Sequence, residues 1–355
     1  MSTSATCESR PFFTLFSLIL TVLLAFLCII TGDARAQDLP INPLPAEVRL
    51  RFANFPSAST FPCVAMEEWA KEISKRTNGR AAIETFPGGT LLDAKNMVRG
   101  VTMGQADIGC ISLAYHPGAY PFLSVFELPL GLVSAEQASA VLWDLHEANL
   151  PAETSRIKVI ALYTSPPSQI FSSREMNGLA DFSGQTLRTS GIQADVAQLL
   201  GASPISMPQS DTPEALQKGV VQGVITSPDV LKDYNFAESC RYGLNVNMGM
   251  YPFMVFMNQR KWDSLPTDIQ QVILDMSREH SIWTGKYVDN HATEALEWSA
   301  QTYGFQYLNP GDQVRQELRD KAQPVIEAWI KQAADSGLDG QDILLQIQNL
   351  SEKSQ

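Results

Sequence analysis

The stretch that decides the fold is DFSGQTLRTSGIQADVAQLLGASPISMPQSDTPEALQKGVVQGVITSP, residues 181–228. Three short strand-like runs alternate in it with two runs of helical spacing. Gly, Pro or Ser marks each connection between them. The alternation predicts an open α/β half-domain, and ligands of such sheets lie at the carboxyl ends of the strands.

Arg188 comes at the end of the first of these strands, directly after Thr186 and Leu187 and before Ser190 and Gly191. A guanidinium group stays ionised, and its planar fork matches the two oxygens of a carboxylate. Spacing alone more often indicates a solvated or ion-paired arginine. The position nevertheless suits a residue that binds an organic anion.

Two segments of this stretch resemble the solute-binding subunits of tripartite ATP-independent periplasmic (TRAP) transporters, the DctP-type family. Residues 181–188 match the family pattern Asp-Leu-x-Gly-x-x-Ile-Arg, with Phe182 for Leu and Leu187 for Ile. Residues 215–223 match Ala-Leu-Gln-x-Gly-Val-Val-Asp-Gly, with Gln222 for Asp. Shorter matches follow the family order along the chain: TNGR at 77–80, PGG at 87–89, ADI at 106–108, Leu128-Pro129, and Asn258 with Trp262, Leu265 and Pro266.

The resemblance implies a two-lobed α/β fold of the periplasmic-binding-protein type, with a long helix that spans both lobes. It also implies that Arg188 pairs with a substrate carboxylate. Many members that bind dicarboxylates or sugar acids have a second arginine about twenty residues earlier, where this chain has Ser168 and Gln169. A second strong contact to an anion is therefore not expected.

Composition agrees with a secreted globular protein of two lobes. The chain has 355 residues, 45% of them hydrophobic and 18% charged, with a formal net charge of −12. So acidic a chain argues against nucleic acid as a partner. Residues 1–36 combine Arg10, an apolar run and the small-x-small site Ala34-Arg35-Ala36, which predicts an export signal and a periplasmic location. An uncleaved anchor is the alternative.

The chain carries no recognisable metal, redox or nucleotide motif, so we expect no cofactor. The cysteines that follow the signal, Cys63, Cys110 and Cys240, are an odd number and predict buried free thiols. The four histidines are far apart, and neither a Gly-x-Ser-x-Gly elbow nor a phosphate loop is present. Catalysis is therefore not expected.

The pattern of residues 47–112 is again strand, helix, strand, helix, strand, with Asp93 as the expected N-cap of the second helix. Residues 158–164 and 254–257 are the expected crossover strands. We assign 46–165 with 251–290 to lobe I and 166–250 with 291–345 to lobe II. Helices are predicted at 267–298, 314–334 and 340–350, with a break or kink at Pro324.

Candidate ligand-binding residues are those at predicted strand ends and crossovers. Beside Arg188 they are Phe55, Tyr115, Ser168, Gln169, Thr226, Ser227, Tyr251 and Phe253. Ordinary loop packing is the alternative for each. One strong cation with an aromatic wall favours a monocarboxylate with an apolar or aromatic body.

The expected function is capture of an organic acid and its delivery to the small and large membrane subunits of a TRAP permease, by a monomer. One alternative is a secreted enzyme that uses Tyr115, His116 and Asp229 as acid–base groups. Another is a binding subunit that serves a sensor or a different transporter class.

Overall fold

The computed structural model describes residues 46–353. The predicted export signal, residues 1–36, lies outside this range. The strands, in chain order, are β1 (Val48–Ala53), β2 (Ala81–Phe86), β3 (Ile108–Ser112), β4 (Ile157–Thr164), β5 (Gln169–Ser172), β6 (Thr186–Thr189), β7 (Ser203–Ser206), β8 (Gly223–Thr226), β9 (Tyr242–Leu244), β10 (Pro252–Asn258) and β11 (Gln306–Leu308).

Ten α-helices accompany them within the described residues. They are α1 (Phe61–Arg76), α2 (Met97–Thr102), α3 (Ala135–Asn149), α4 (Ile192–Leu199), α5 (Thr212–Gln217), α6 (Val230–Asp233), α7 (Gln259–Asp263), α8 (Thr267–Tyr303), α9 (Asp312–Asp335) and α10 (Gly340–Lys353).

The strands form two sheets, one with the order β2-β1-β3-β10-β4 and one with the order β11-β9-β5-β8-β6-β7. In the first sheet, β1 pairs in parallel with β2 and with β3. In the second sheet, β6 pairs in parallel with β7 and with β8. A strand from elsewhere in the chain joins each set antiparallel, β10 beside β3 and β5 beside β8. The predicted two-lobed α/β fold is confirmed.

The chain passes between the sheets three times, once through helix α8 and twice through short segments that are hydrogen-bonded to each other. β4 and β10, the expected crossover strands, lie side by side in the first sheet, so the crossings themselves are the segments that follow β4 and precede β10. The Ser165 amide donates to the Tyr251 carbonyl at 2.9 Å, and the Ser168 amide donates to the Gly249 carbonyl at 2.7 Å. The lobe limits given above stay a prediction.

The long helix α8 contacts elements of both sheets. Beside the first sheet, the Leu162 amide of β4 donates to Ser281 Oγ at 3.0 Å. Beside the second, His291 Nε2 lies 2.7 Å from Asp233 Oδ1 in α6. A helix that joins the two parts, as predicted, is therefore present.

Two local predictions were wrong. Helix α9 runs through Pro324, so the expected break does not occur, while a kink there stays a prediction. Pro324 is exposed, and water can satisfy the carbonyl that the ring leaves without an amide donor. Asp93 does not cap α2, whose N-cap is Asn96. Its carboxylate instead accepts the Lys95 and Asn96 amides and closes the turn that precedes the helix.

Cys63, Cys110 and Cys240 are free and buried, as predicted, and burial raises the pKa of each thiol to about 12. Such thiols stay protonated and unreactive at neutral pH. No helix between residues 46 and 353 is both long and apolar enough to cross a membrane.

Glu127 connects the segment before α3 to helix α4. Its carboxyl is buried, and Oε2 accepts the Ile192 amide at 2.8 Å, where the positive end of the helix dipole lies. A Cβ at Gly191, whose φ is +60°, would lie 1.9 Å from Oε2, so only glycine leaves room for this contact. Burial raises the pKa of Glu127 from 4.5 to about 8, and the hydrogen bond from Ile192 offsets only part of that rise.

This carboxyl makes stability depend on pH. Because its pKa is higher in the folded state, its contribution to the free energy of unfolding is full below about pH 4.5 and is lost as the pH rises towards 8. We expect Glu127→Gln to flatten the fall in melting temperature between pH 5 and pH 8. Glu327→Gln, at an exposed position of α9, is the matched control and should leave that fall unchanged. An equally steep fall in Glu127→Gln would contradict the assignment.

Candidate ligand-binding cavity

A cavity of about 50 Å³ lies where the carboxyl ends of β1, β3, β6 and β8 meet. Its wall includes Phe55 after β1 and Ser112 at the end of β3 in the first sheet. Arg188 near the end of β6 and Thr226 at the end of β8 contribute from the second sheet. Both sheets therefore contribute residues to one cavity.

Arg188 reaches this cavity from β6, the strand next to the edge of the second sheet. Strand β6 pairs on one side with β7 and on the other with β8, and Arg188 lies opposite Ile205 and Val224 in these pairings. The residue is 1% exposed, which is rare for an arginine. Its position at the carboxyl end of a parallel strand agrees with the sequence-based expectation.

Neutral oxygen atoms surround the Arg188 guanidinium. Nε and Nη2 donate to the Met207 carbonyl at 3.0 and 2.6 Å. Nη2 also lies 3.2 Å from both Tyr115 Oη and Ser190 Oγ. No acidic side chain of residues 46–353 forms an ion pair with Arg188, and Nη1 has no hydrogen-bond partner among them. The buried cation therefore lacks a counter-ion from the described protein.

Aromatic rings form much of the cavity wall. The rings of Phe55 and Tyr115 meet edge to face with centroids 5.5 Å apart, and those of Phe61 and Phe253 do so at 5.2 Å. Tyr251 is held by a 3.1 Å hydrogen bond between its hydroxyl and Thr189 Oγ1. These pairings fix the rings as a rigid apolar surface beside the cation.

Side-chain oxygens after β7 and β8 line another part of the wall. Gln209 Nε2 donates to Thr226 Oγ1 at 2.7 Å, and the backbone amide of Gln209 donates to Tyr115 Oη at 3.1 Å. Ser227 and Asp229 follow Thr226 in the same wall, and Asp229 is 1% exposed. Burial and, to a smaller extent, the carboxylate of Asp233 raise the pKa of Asp229 to about 7.

The structure brings most of the predicted ligand-binding residues to this one cavity: Phe55, Tyr115, Arg188, Thr226, Ser227, Tyr251 and Phe253. Ser168 and Gln169 do not line it. Gln169 Oε1 instead accepts the Val246 and Asn247 amides at 2.7 and 3.0 Å, so this side chain supports the backbone that leads into the second crossing. Gln169, which was predicted to contact the ligand, therefore has a structural role instead.

Several cavity residues escaped the sequence analysis. Phe61 opens helix α1, and Gln209 and Tyr234 lie in connections that carry no family motif quoted above. A signal for Gln209 was available, because it follows β7, which neighbours β6, and adjacent parallel strands end at the same edge. Nothing in local spacing could place Phe61 or Tyr234 there.

The cavity contains no group of side chains that is suited to a metal. Within the described residues, no cluster of three or more His, Cys, Asp or Glu has the required geometry. His116, the histidine considered above as an acid–base group, does not line the cavity, and burial lowers its pKa. What the site offers chemically is one cation, an aromatic wall and several hydroxyl, amide and carboxyl oxygens.

Comparison with known proteins agrees with this architecture. The family described as bacterial extracellular solute-binding protein, family 7 (DctP) matches residues 52–332. A TRAP periplasmic solute-binding protein from Desulfovibrio salexigens is 49% identical, with a TM-score of 0.80 over 87% of this chain and 97% of that one. Its crystal structure is an open complex, in which the C-terminus of a symmetry mate occupies the ligand-binding site.

Two more distant relatives show the range of ligands. A TRAP solute-binding protein from Rhodoferax ferrireducens, in complex with copurified benzoate, is 25% identical, with a TM-score of 0.82 over 86% of this chain and 98% of that one. The C4-dicarboxylate-binding periplasmic protein DctP of Vibrio cholerae is 24% identical over 83% of this chain and 89% of its own. The chain therefore belongs to the DctP family of bacterial extracellular solute-binding proteins, the binding subunits of TRAP transporters.

Proposed function

We propose that this protein captures a small organic monocarboxylate with an apolar or aromatic body in the periplasm, and that Arg188 binds the carboxylate. The observation that carries the proposal is a guanidinium that is 1% exposed, lines the cavity and has no acidic partner among the described residues. A buried charge without a counter-ion is costly. A carboxylate ligand removes that cost.

The free donors of the site support contact with one carboxylate. Nε and Nη2 are occupied by the Met207 carbonyl, Tyr115 and Ser190, which leaves both hydrogens of Nη1 for a ligand. Tyr115 Oη accepts hydrogen bonds from Arg188 and from the backbone amide of Gln209, so its own proton can be donated to the same anion. Nη1 and Tyr115 Oη would then donate to one carboxylate.

The rest of the cavity supports a monocarboxylate. Among the described residues of its wall, Arg188 is the only cation, so a second carboxylate would lose its water without gaining a counter-ion. Burial of apolar ligand surface against the aromatic rings is favourable instead, by about 25 cal/mol per Å². A single-ring acid such as the benzoate bound by the Rhodoferax protein has these properties.

Delivery to a TRAP permease and a periplasmic location follow from the family and are part of the proposal, as is a monomeric state. We also propose that the ligand is released chemically unchanged. Two observations support simple binding: His116 is absent from the cavity wall, and Tyr115 already accepts two N–H groups.

The first test is Arg188→Lys, which keeps the charge and removes the fork. Breaking a buried charged hydrogen-bond pair costs about 2–5 kcal/mol, so calorimetry should show the affinity for benzoate to fall by about tenfold or more. Arg174→Lys, at a nearby exposed position, should bind like the wild type. Circular dichroism checks that both variants fold. Equal affinity of Arg188→Lys and wild type would exclude the carboxylate role.

The second test compares ligand classes. Calorimetric titration of the wild type with benzoate, succinate and gluconate should give the tightest binding for benzoate, because only this acid combines one carboxylate with a large apolar body. The acid recovered after dialysis should be unmodified. Tighter binding of succinate or gluconate would refute the monocarboxylate assignment, and a modified acid would favour an enzyme.

A further inference from the structure

A second unsatisfied polar feature lines the cavity, apart from Arg188. Asp229 is 1% exposed and belongs to the cavity wall, and its Oδ1 has no hydrogen-bond partner in the described part of the chain. Oε1 of Gln209, also in the wall, is buried and equally without a partner there. Buried polar atoms are rarely left unpaired in proteins. Both atoms are oxygens, so both can accept a hydrogen bond.

Among the described residues, the side chain of Ser227 hydrogen-bonds the Asp229 carboxyl, and Oδ1 is left without a partner. Asp229 precedes helix α6, but its side chain does not cap that helix. The carboxylate behind it, Asp233, already has a partner, because its Oδ1 lies 2.7 Å from His291 Nε2. Asp229 and Arg188 form no ion pair with each other. The cavity thus presents a cation and a carboxyl group that do not neutralise one another.

We propose that Asp229, with Gln209 in the same cavity wall, selects an acid that carries a hydrogen-bond donor, such as a ring hydroxyl, away from its carboxylate. The inference rests on the proposed function and deepens it. Arg188 would hold the carboxylate, the aromatic rings would hold the body, and the unpaired oxygens of Asp229 and Gln209 would accept the donor. An acid with a second carboxylate in that place would meet Asp229 and Gln209 Oε1 without gaining a donor.

The protonation of Asp229 fits this role. Burial and the Asp233 carboxylate raise its pKa, Ser227 and His291 lower it, and the balance is a pKa of about 7. Near neutral pH both forms are populated, and each retains an oxygen that can accept a ligand hydroxyl. The charged form adds repulsion against a second carboxylate.

The test is calorimetric titration of the wild type and Asp229→Ala with benzoate, 3-hydroxybenzoate, 4-hydroxybenzoate and isophthalate. We expect the wild type to bind one hydroxybenzoate isomer about tenfold more tightly than benzoate. It should bind isophthalate more weakly than benzoate. In Asp229→Ala the preference for the hydroxyl should shrink to within about threefold. Asp335→Asn, at an exposed position of α9, should keep the wild-type pattern.

A second variant keeps the test decisive if Asp229→Ala does not fold. Asp229→Asn retains the shape and one acceptor oxygen, so it should keep the preference for the hydroxyl and bind isophthalate about tenfold more tightly than the wild type does. Equal binding of benzoate and both hydroxybenzoates by the wild type, with benzoate binding intact, would overturn this inference alone. No binding of any of these monocarboxylates would overturn the proposed function as well.

Discussion

The burial of Arg188 is the constraint on which the site depends. Removing a guanidinium from water is unfavourable unless its donors and its charge are both compensated. The Met207 carbonyl, Tyr115 and Ser190 supply neutral acceptors to part of it, and no described acidic side chain supplies the charge. The empty protein therefore keeps part of the cost of burial. An anion bound in the cavity would supply the missing counter-charge. The free energy gained in this way would contribute to the affinity for the anion.

The arrangement of the two sheets brings residues from both of them to one cavity. β6 lies between β7 and β8, which holds Arg188 rigidly, and the hydrogen-bonded crossings join this sheet to the one that carries Phe55 and Phe253. Tyr115 contacts Arg188 and Gln209 across the cavity. The acid would thus be bound by parts of the chain that are far apart in sequence, as expected of proteins that enclose their ligands.

Much of this could be predicted because strand period, helix period and turn residues are local properties. The same locality explains what the sequence could not supply. The main partner of Arg188 is a backbone carbonyl, Met207, whose position depends on the register of β6 against β7. Gln169 is polar, as a residue that contacts a ligand would be, but its side-chain oxygen accepts hydrogen bonds from two backbone amides of the second crossing. The burial of Asp229, which gives it a role in the cavity, follows only from the three-dimensional packing.

The most direct measurement is a crystal structure of the protein in complex with benzoate. The account predicts that the carboxylate lies about 2.7–2.9 Å from Arg188 Nη1 and accepts a hydrogen bond from Tyr115 Oη, with the ring between the aromatic side chains of the cavity. Benzoate that is bound elsewhere, or in the cavity with its carboxylate directed away from Arg188, would contradict it.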